Sequence, residues 1–262
     1  MIKLNDKIVE VNKFPDGTLL LKENPHFLSH KGVKIDWFFE NNEELITLIY
    51  LTKHLRAHGI EKICLFMPYI SNARQDRVKN SEDIFTLKYF ADIINDLNFN
   101  SIQVLDPHSP VSEALIDNIV VTSPSEYIST AIQDCEPDMM FFPDEGAMKR
   151  YSSMAQMEYA FGIKKRDWAT GQIQGLDVAG SVDKIKDSKI IIIDDICSRG
   201  GTFYYSAKKL KELGAKEIYL YVTHCENTIL EGELLASGLI EKIYTTNSIF
   251  TKEHEKIEVI EL

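Results

Sequence analysis

Apolar and polar residues are arranged along this chain in blocks that predict strands and helices in alternation. Short apolar runs, rich in β-branched and aromatic residues, predict six buried strands: KICLFMPY, SIQVLDPH, DMMFFPDE, KIIIIDD, EIYLYVTH and KIYTTNSI. Between them, apolar residues at helical spacing predict three helices: EELITLIYLTKHLRAHG, IFTLKYFADIINDLN and TFYYSAKKLKELGAK. Because the strand runs are almost continuously apolar, we expect an α/β fold whose mainly parallel sheets are covered on both faces.

A helix-glycine-strand pattern occurs twice in the chain. The segment LTKHLRAHGIEKICLFMPYISN, from Leu51, aligns without a gap to SAKKLKELGAKEIYLYVTHCEN, from Ser206. Units of this kind can converge on such a pattern, so the match indicates either convergence or two related α/β halves. The most linker-like stretch between the segments is VVTSPSEYIST, around Ser123 and Pro124. We therefore expect an N-terminal half at residues 1–122 and a C-terminal half at 123–262.

Composition narrows the classes of function. With 29 basic and 40 acidic side chains the formal charge is −11, which opposes broad binding to nucleic acid or anionic membranes but allows local phosphate pockets. No apolar run approaches the roughly 20 residues of a membrane span, and the N-terminus lacks the apolar core of a secretory signal. We expect a cytoplasmic protein with no nucleic-acid or membrane partner. The four cysteines form no CxxC pair, which favours reduced structural thiols.

Polar side chains follow four of the predicted strands. In open α/β sheets, ligands bind beyond the carboxyl ends of the strands, so we expect these side chains to line a shared polar cleft. The residues concerned are Asp106, His108, Asp144, Glu145, Asp194, Asp195, Thr223 and His224.

The segment IIIIDDICSRGGT places two acids and a glycine-bearing loop between a predicted strand and a predicted helix. A loop that opens a helix presents backbone N–H groups and a partial positive charge to an anion. The paired carboxylates can accept hydrogen bonds from vicinal hydroxyls while the loop holds a phosphate. A phosphorylated sugar supplies both groups, and we expect it to contact Asp194, Asp195, Ser198, Arg199, Gly200, Gly201 and Thr202.

This segment resembles the ribose-phosphate loop of the phosphoribosyltransferase fold. A second segment, PYISNARQDR, is similar to the Tyr-Ala-Arg-Gln-Asp-Arg segment of the ribose-phosphate pyrophosphokinases, which ordinary phosphoribosyltransferases lack. KFPDG, LDPHS, FPDEGAMKR and YTTNSI resemble four more segments of that family, in the same order along the chain. The resemblance implies two similar phosphoribosyltransferase-like halves, each with a mainly parallel sheet flanked by helices.

The resemblance also implies a reaction. The family moves the β,γ-diphosphoryl group of ATP to the C1 hydroxyl of ribose 5-phosphate, releasing AMP, with Mg²⁺ bridging phosphates. Such a transition state is stabilised by metal ions and fixed cations more than by a covalent nucleophile.

Roles carry over from the family by position. The implied ATP-binding residues are Phe14, Asp16, Arg74, Gln75, Asp76 and His108. The implied diphosphate loop is Asp144, Glu145 and Gly146, with His108 and Asp144 at the Mg²⁺ positions. The implied catalytic residues are Lys165, Arg166 and His108. In the family, the positions of Phe14 and Asp16 reach the adenine site of a neighbouring subunit, so we expect a homo-oligomer, either a dimer or a hexamer.

Two departures leave alternatives open. Asp167 stands where the family's catalytic loop has a second cation, which keeps open a non-catalytic protein that binds and regulates synthetase subunits. The usual Asp-Thr-Ala-Gly-Thr of the ribose-phosphate loop reads Ser198 to Thr202 here, replacing an acid by a hydroxyl and adding the guanidinium of Arg199. Arg suits bidentate phosphate contact, so ADP-ribose is an alternative acceptor to ribose 5-phosphate. A base-transferring phosphoribosyltransferase is disfavoured by the ARQDR segment.

Overall fold

The computed structural model describes residues 1–22, 32–166 and 173–262. The chain divides into two compact units, Met1–Ser123 and Pro124–Leu262, each with a sheet of its own.

The first unit is built on a six-stranded sheet. Its strands lie in the order β2-β1-β5-β6-β7-β8, with β1 antiparallel to both neighbours and β5 to β8 parallel to one another. The strands are β1 (Ile2–Leu4), β2 (Lys7–Ile8), β5 (Gly32–Trp37), β6 (Lys62–Phe66), β7 (Ser101–Leu105) and β8 (Ile119–Thr122). The helices that connect the parallel strands are α1 (Glu43–Ala57), α2 (Thr86–Asp96) and α3 (Pro110–Leu115).

A separate antiparallel hairpin joins β3 (Glu10–Lys13) to β4 (Leu19–Lys22). Its turn is closed by the N–H of Phe14, which donates to the carbonyl of Thr18 at 2.9 Å. Gly17 has a φ of +85°, a conformation that glycine adopts without steric cost. The KFPDG segment therefore forms the tip of a hairpin.

The second unit is built on a seven-stranded sheet in the order β11-β10-β9-β12-β13-β14-β15, in which the β10–β11 pair is antiparallel and every other pair parallel. The strands are β9 (Met139–Phe142), β10 (Tyr159–Arg166), β11 (Ile173–Gly180), β12 (Lys189–Cys197), β13 (Glu217–Cys225), β14 (Lys242–Thr246) and β15 (Ile257–Ile260). The helices are α4 (Ser125–Cys135), α5 (Glu145–Tyr151), α6 (Gly201–Glu212) and α7 (Glu233–Ala236).

Each unit has its own hydrophobic core, and the two sheets are covered differently. In the second unit β12 places Ile190 and Ile192 in one buried cluster and Ile191 and Ile193 in another, so both faces of this strand are covered. In the first unit α1 and α2 pack on one face of β6 and β7. On the other face Lys62 and Gln103 are exposed, while Cys64 and Phe66 are half-buried. The prediction of two covered faces is thus confirmed for β12 and wrong for β6 and β7, where polar residues alternate with apolar ones.

All six predicted strands and all three predicted helices are confirmed. The repeated segments form α1 to β6 in the first unit and α6 to β13 in the second, where each is the crossover that follows the parallel strand β5 or β12. The shared glycines, Gly59 and Gly214, have φ values of +81° and +92°, the left-handed conformation that commonly ends helices. Each unit thus holds four neighbouring parallel strands in chain order, β5 to β8 and β12 to β15, which supports the two-halves interpretation.

Within the described ranges, none of the helices combines the length and the apolar character that crossing a membrane requires.

Candidate functional site

Three predicted site residues lie at the carboxyl ends of two neighbouring strands in the second unit. β9 and β12 pair in parallel, with Met139 opposite Ile190 and Phe141 opposite Ile192. Asp144 follows β9, while Asp194 and Asp195 lie near the end of β12, so the sheet brings the predicted diphosphate loop and the acid pair together. Asp144 also caps α5, since its Oδ1 accepts a hydrogen bond from the N–H of Ala147 at 3.1 Å.

The two adjacent acids have different surroundings. Asp195 is buried, and its Oδ2 accepts a hydrogen bond from Arg150 at 3.2 Å. Burial, followed by the negative charge of Asp195, raises the pKa of Asp194 well above its ordinary value, and the charge of Asp144 acts in the same direction. Asp194 therefore keeps a proton more readily than an exposed aspartate does. Such a pair can both donate and accept hydrogen bonds, as vicinal hydroxyls require.

The loop after the acid pair leads into α6. Gly200 has a φ of +78° and is the residue before the first helical residue, Gly201. A side chain at Gly200 would bring its Cβ within 2.9 Å of the Cβ of Leu234, so the close approach also requires glycine. The open N–H groups in the first turn of this 12-residue helix can bind an anion, as predicted for Gly200, Gly201 and Thr202.

Ser198 and Arg199, two of the residues that depart from the family's loop pattern, both contact acids. The hydroxyl of Ser198 donates to Glu226 Oε2 at 2.8 Å and lies 3.2 Å from the hydroxyl of Thr228. The side chain of Arg199 is 72% exposed and forms a 3.3 Å ion pair with Glu231. Arg199 thus lies at the protein surface in this structure.

In the first unit, the ARQDR segment divides into exposed and buried residues. Arg74 and Gln75 are exposed, and Gln75 Oε1 accepts a hydrogen bond from the hydroxyl of Thr86 at 2.9 Å. Asp76 is buried and receives two hydrogen bonds from the guanidinium of Arg77, at 2.7 and 2.8 Å.

The electrostatics of Asp76 follow from these contacts. The hydrogen bond from Arg77 lowers the pKa of Asp76 to about 2, helped by a hydrogen bond from Ser109 and by the charges of Arg77 and His108, while burial acts in the opposite direction. Ser109 also caps α3, since its Oγ accepts a hydrogen bond from the N–H of Val111. Asp76 thus links the ARQDR segment to the LDPHS segment, which carries His108.

Phe14 and Asp16 lie at the tip of the β3–β4 hairpin. The side chain of Phe14 is 49% exposed, an uncommon position for a large apolar ring. Asp16 Oδ1 accepts hydrogen bonds from the hydroxyl and the N–H of Thr18, which lower the pKa of Asp16. The tip is therefore a hydrogen-bonded turn that carries an exposed aromatic ring.

The predicted catalytic residues Lys165 and Arg166 end β10, where they pair with Gly175 and Ile173 of β11 across an irregularity in register. Their side chains lie outside the described part of the structure, as does Asp167.

Two residues predicted to line the polar cleft, Thr223 and His224, are buried at the end of β13. The carbonyl of Thr223 accepts a hydrogen bond from Thr246 at 2.7 Å, and His224 Nδ1 lies 2.8 Å from Ser248 Oγ. The Thr223 carbonyl and the His224 ring are thus bonded to the YTTNSI segment inside the fold, and neither side chain is exposed as the prediction expected.

No three His, Cys, Asp or Glu side chains among the described residues converge as a metal site. Mg²⁺ needs no such cage, because it is commonly held by one or two carboxylates together with substrate phosphates and waters. Asp144, beside the acid pair, fits this arrangement. His108 offers a nitrogen, which suits Mg²⁺ less well than a carboxylate does.

Two functional candidates, Arg150 and Glu226, escaped the sequence analysis. Arg150 lies within the FPDEGAMKR segment, so its motif was visible, but its contact with Asp195 spans 45 residues of chain. Glu226 follows the predicted strand EIYLYVTH without any motif of its own, and no signal in the sequence linked it to Ser198.

The fold and these sites define a class of protein. A family model described as "Phosphoribosyl transferase domain" matches residues 153–239. The structure is similar over 97% of its length to 86% of the phosphoribosylpyrophosphate synthetase from Mycobacterium smegmatis, with a TM-score of 0.78 and 19% sequence identity. The predicted fold class is confirmed: the chain has the two-unit α/β architecture with phosphoribosyltransferase-like domains.

Curated relatives then specify the family. A ribose-phosphate pyrophosphokinase from Bacillus caldolyticus is 30% identical over 84% of this chain and 70% of the relative. The ribose-phosphate pyrophosphokinase of Thermococcus kodakarensis is 28% identical over 93% of this chain and 86% of the relative. The chain belongs to the ribose-phosphate pyrophosphokinase family, and it is an enzyme of the diphosphokinase type.

Proposed function

We propose that the protein transfers the β,γ-diphosphoryl group of ATP to the C1 hydroxyl of ribose 5-phosphate, giving phosphoribosyl pyrophosphate and AMP. The bond between the β-phosphorus and the oxygen that bridges it to the α-phosphorus breaks, and this oxygen leaves with AMP. A new bond forms between the C1 oxygen and the β-phosphorus, and the hydroxyl proton is released. The observation that carries the proposal is the acid pair, the half-buried Asp194 and the buried Asp195, placed directly before a glycine loop and a helix N-terminus.

The acceptor would bind at this pair and loop. Asp195, held by Arg150, accepts hydrogen bonds from one ribose hydroxyl, while Asp194 can accept from or donate to the other. The 5′-phosphate would lie against the N–H groups of residues 200–202. This arrangement leaves the C1 hydroxyl as the group that receives the diphosphoryl group.

The nucleotide would bind through the exposed side chains of Arg74 and Gln75. The carboxylate of Asp76 already receives the hydrogen bonds of Arg77. Asp76 would therefore act by orienting its neighbours Arg74 and Gln75. In a homo-oligomer, the exposed ring of Phe14 would reach the adenine of ATP in a neighbouring subunit, with Asp16 at the same tip.

Charge on the migrating group would be neutralised by Lys165 and Arg166. Asp144 would hold Mg²⁺, which would supply charge neutralisation when bound, and His108 is the other residue that the family resemblance puts at a metal position. Asp144, Glu145 and Gly146 would surround the diphosphate.

The same experiment also tests three alternatives from the sequence analysis: ADP-ribose as acceptor and, against the family assignment, a non-catalytic regulatory protein and base transfer. ADP-ribose was suggested by Arg199, whose guanidinium pairs with Glu231 at the surface. A regulatory protein was suggested by Asp167. We propose a cytoplasmic homo-oligomer. Its acceptor is ribose 5-phosphate, because the acid pair fits the ribose hydroxyls and the loop fits one phosphate.

The test is AMP release from MgATP by the purified protein, with ribose 5-phosphate and ADP-ribose in parallel. We expect AMP with ribose 5-phosphate, and a loss of about 10²- to 10³-fold in kcat for Lys165→Ala. The matched control is Lys164→Ala, which removes the neighbouring lysine and is expected to stay within a few-fold of wild type. If AMP forms only with ADP-ribose, ADP-ribose is the acceptor instead of ribose 5-phosphate. If no AMP forms with either sugar, the proposal is contradicted.

A further inference from the structure

Glu226, the residue after β13, is bonded to the predicted phosphate loop through both its side chain and its backbone. Its Oε2 accepts hydrogen bonds from the hydroxyls of Ser198, at 2.8 Å, and Thr228, at 3.0 Å. Its N–H donates to the carbonyl of Cys197 at 2.8 Å. Because Cys197 is the last residue of β12, Glu226 holds the chain where the strand ends and the loop begins.

The segment around Glu226 also forms one wall of the loop. β12 and β13 pair up to Cys197 and Cys225, so Glu226 follows directly on the last aligned pair. Further on, Gly232 lies against the carbonyl of Arg199, closer than any side chain at that position would allow. Gly200 packs on Leu234 in the same way. The conformation of residues 198–200 is therefore determined by contacts with residues 226–234.

The loop's own contact with Glu226 is made by Ser198, whose hydroxyl reaches this carboxylate across 28 residues of chain. We infer that Glu226 is a positioning residue of the acceptor site: its single carboxylate, placed just after β13, holds Ser198 and Thr228 and so sets the position of the loop. This inference rests on the proposed function, since it takes the loop as the binding site of the acceptor's phosphate.

A single carboxylate at this place has a clear physical effect. It accepts the hydrogen bonds of Ser198 and Thr228 on the side of the loop next to β13, which leaves the N–H groups of the first turn of α6 for the phosphate. A second carboxylate at hydrogen-bonding distance would repel the first and the incoming phosphate alike. We therefore expect acceptor binding to tolerate an acid at position 198 or at position 226, but not at both.

The experiment exchanges the two positions. Four variants are compared with wild type: Ser198→Asp, Glu226→Gln, the double variant Ser198→Asp/Glu226→Gln, and the control Glu233→Gln. Glu233 is exposed in the same segment, so its variant removes an equal charge without touching the loop. Dissociation constants for ribose 5-phosphate and inorganic phosphate are measured calorimetrically without ATP. The KM values for ATP and for ribose 5-phosphate and the thermal midpoints are measured in parallel.

We expect Ser198→Asp to weaken binding of ribose 5-phosphate by about tenfold or more. Glu226→Gln should weaken it by roughly three- to tenfold, because an amide oxygen replaces the carboxylate as acceptor. The double variant should bind within about threefold of wild type, so the two substitutions are strongly non-additive. KM for ATP should be unchanged in every variant, and Glu233→Gln should bind as wild type does.

Three results would overturn the inference. One is additivity, with the double variant binding more weakly than either single variant. Another is Glu226→Gln behaving as Glu233→Gln does. The third is a parallel change in acceptor binding, KM for ATP and thermal midpoint, which would indicate a general structural role. If the wild type binds ribose 5-phosphate but makes no AMP, the proposed function is contradicted. The dissociation constants of the single and double variants still decide the role of Glu226 in that case. Wild type that binds neither probe would reject both.

Discussion

Three aspartates show how strongly neighbours change one side chain. Asp76 is buried with a guanidinium and therefore ionises at low pH. Asp195 is buried with Arg150, whereas Asp194, beside it, has a raised pKa because of burial and the charge of Asp195. The three carboxyls have similar intrinsic acidity, so their roles are decided by the residues around each one.

Asp76 predicts a pH dependence of stability. The pKa of Asp76 is about 2 in the folded protein against 3.8 for an unperturbed aspartate, so its ionised form stabilises the fold by about 2 kcal/mol above pH 4. This contribution is lost as the pH falls from about 4 through 2, because the unfolded state binds the proton first. We expect Asp76→Asn to lower the free energy of unfolding at pH 7 and to flatten its dependence on pH below 4.

The measurement is denaturant unfolding from pH 2 to pH 7. The matched control is Asp92→Asn, which removes an exposed carboxylate of α2 and should follow the wild-type curve. Parallel curves for wild type and Asp76→Asn at all pH values would contradict the assigned pKa.

At the scale of elements, α5 joins two parts of the candidate site. The helix begins after Asp144, its capping residue, and Arg150, in its last turn, contacts Asp195 on β12. A helix of seven residues is too short to be stable by itself, so its position depends on such tertiary contacts. The Arg150–Asp195 pair is therefore expected to stabilise the helix and to orient the acid together.

We predict that Arg150→Met lowers the free energy of unfolding by about 1–3 kcal/mol, because Asp195 then lies buried without its guanidinium partner. The neighbouring Lys149 pairs with the exposed Glu145, so Lys149→Met should change stability by less than about 0.5 kcal/mol. Chemical denaturation measures both variants. Adding Asp195→Asn to Arg150→Met should recover part of the loss; equal losses for Arg150→Met and Lys149→Met would refute the assignment.

At the scale of the whole molecule, each unit contains the features of a folding unit. The buried clusters of the first unit lie within residues 2–116, and those of the second lie within residues 128–257. The division falls between Ser123 and Pro124. Each sheet is formed by strands of one unit only.

We therefore predict that the fragments 1–123 and 124–262 each fold when expressed separately. Separate cores and complete sheets give each fragment its own cooperative transition. The measurement is thermal unfolding followed by near-ultraviolet circular dichroism, with the intact chain as reference. A fragment without a cooperative transition would show that its core depends on the other unit.

Much of the fold was predictable because it depends on local patterns. β12 was recognisable from four isoleucines, and α1 and α6 from their helical spacing and terminal glycines. The strands β1 to β5, β8, β10, β11 and β15 were not predicted, because short or partly polar strands carry weak periodicity. Of the candidate site, the acid pair and the glycine loop were visible as a motif, and their placement at the end of a strand agrees with that interpretation.

By itself, the sequence determined which segments form strands and helices, which family the motifs belong to and which chemical groups follow the strands. These properties depend on residue type and near spacing. Only the tertiary structure decided that β9 lies beside β12, that Arg150 contacts Asp195, and that Glu226 holds Ser198 across 28 residues of chain. It also decided that Asp76 and His224 are buried. The physical reason is that strand order and register bring together residues whose separation along the chain carries no periodic signal.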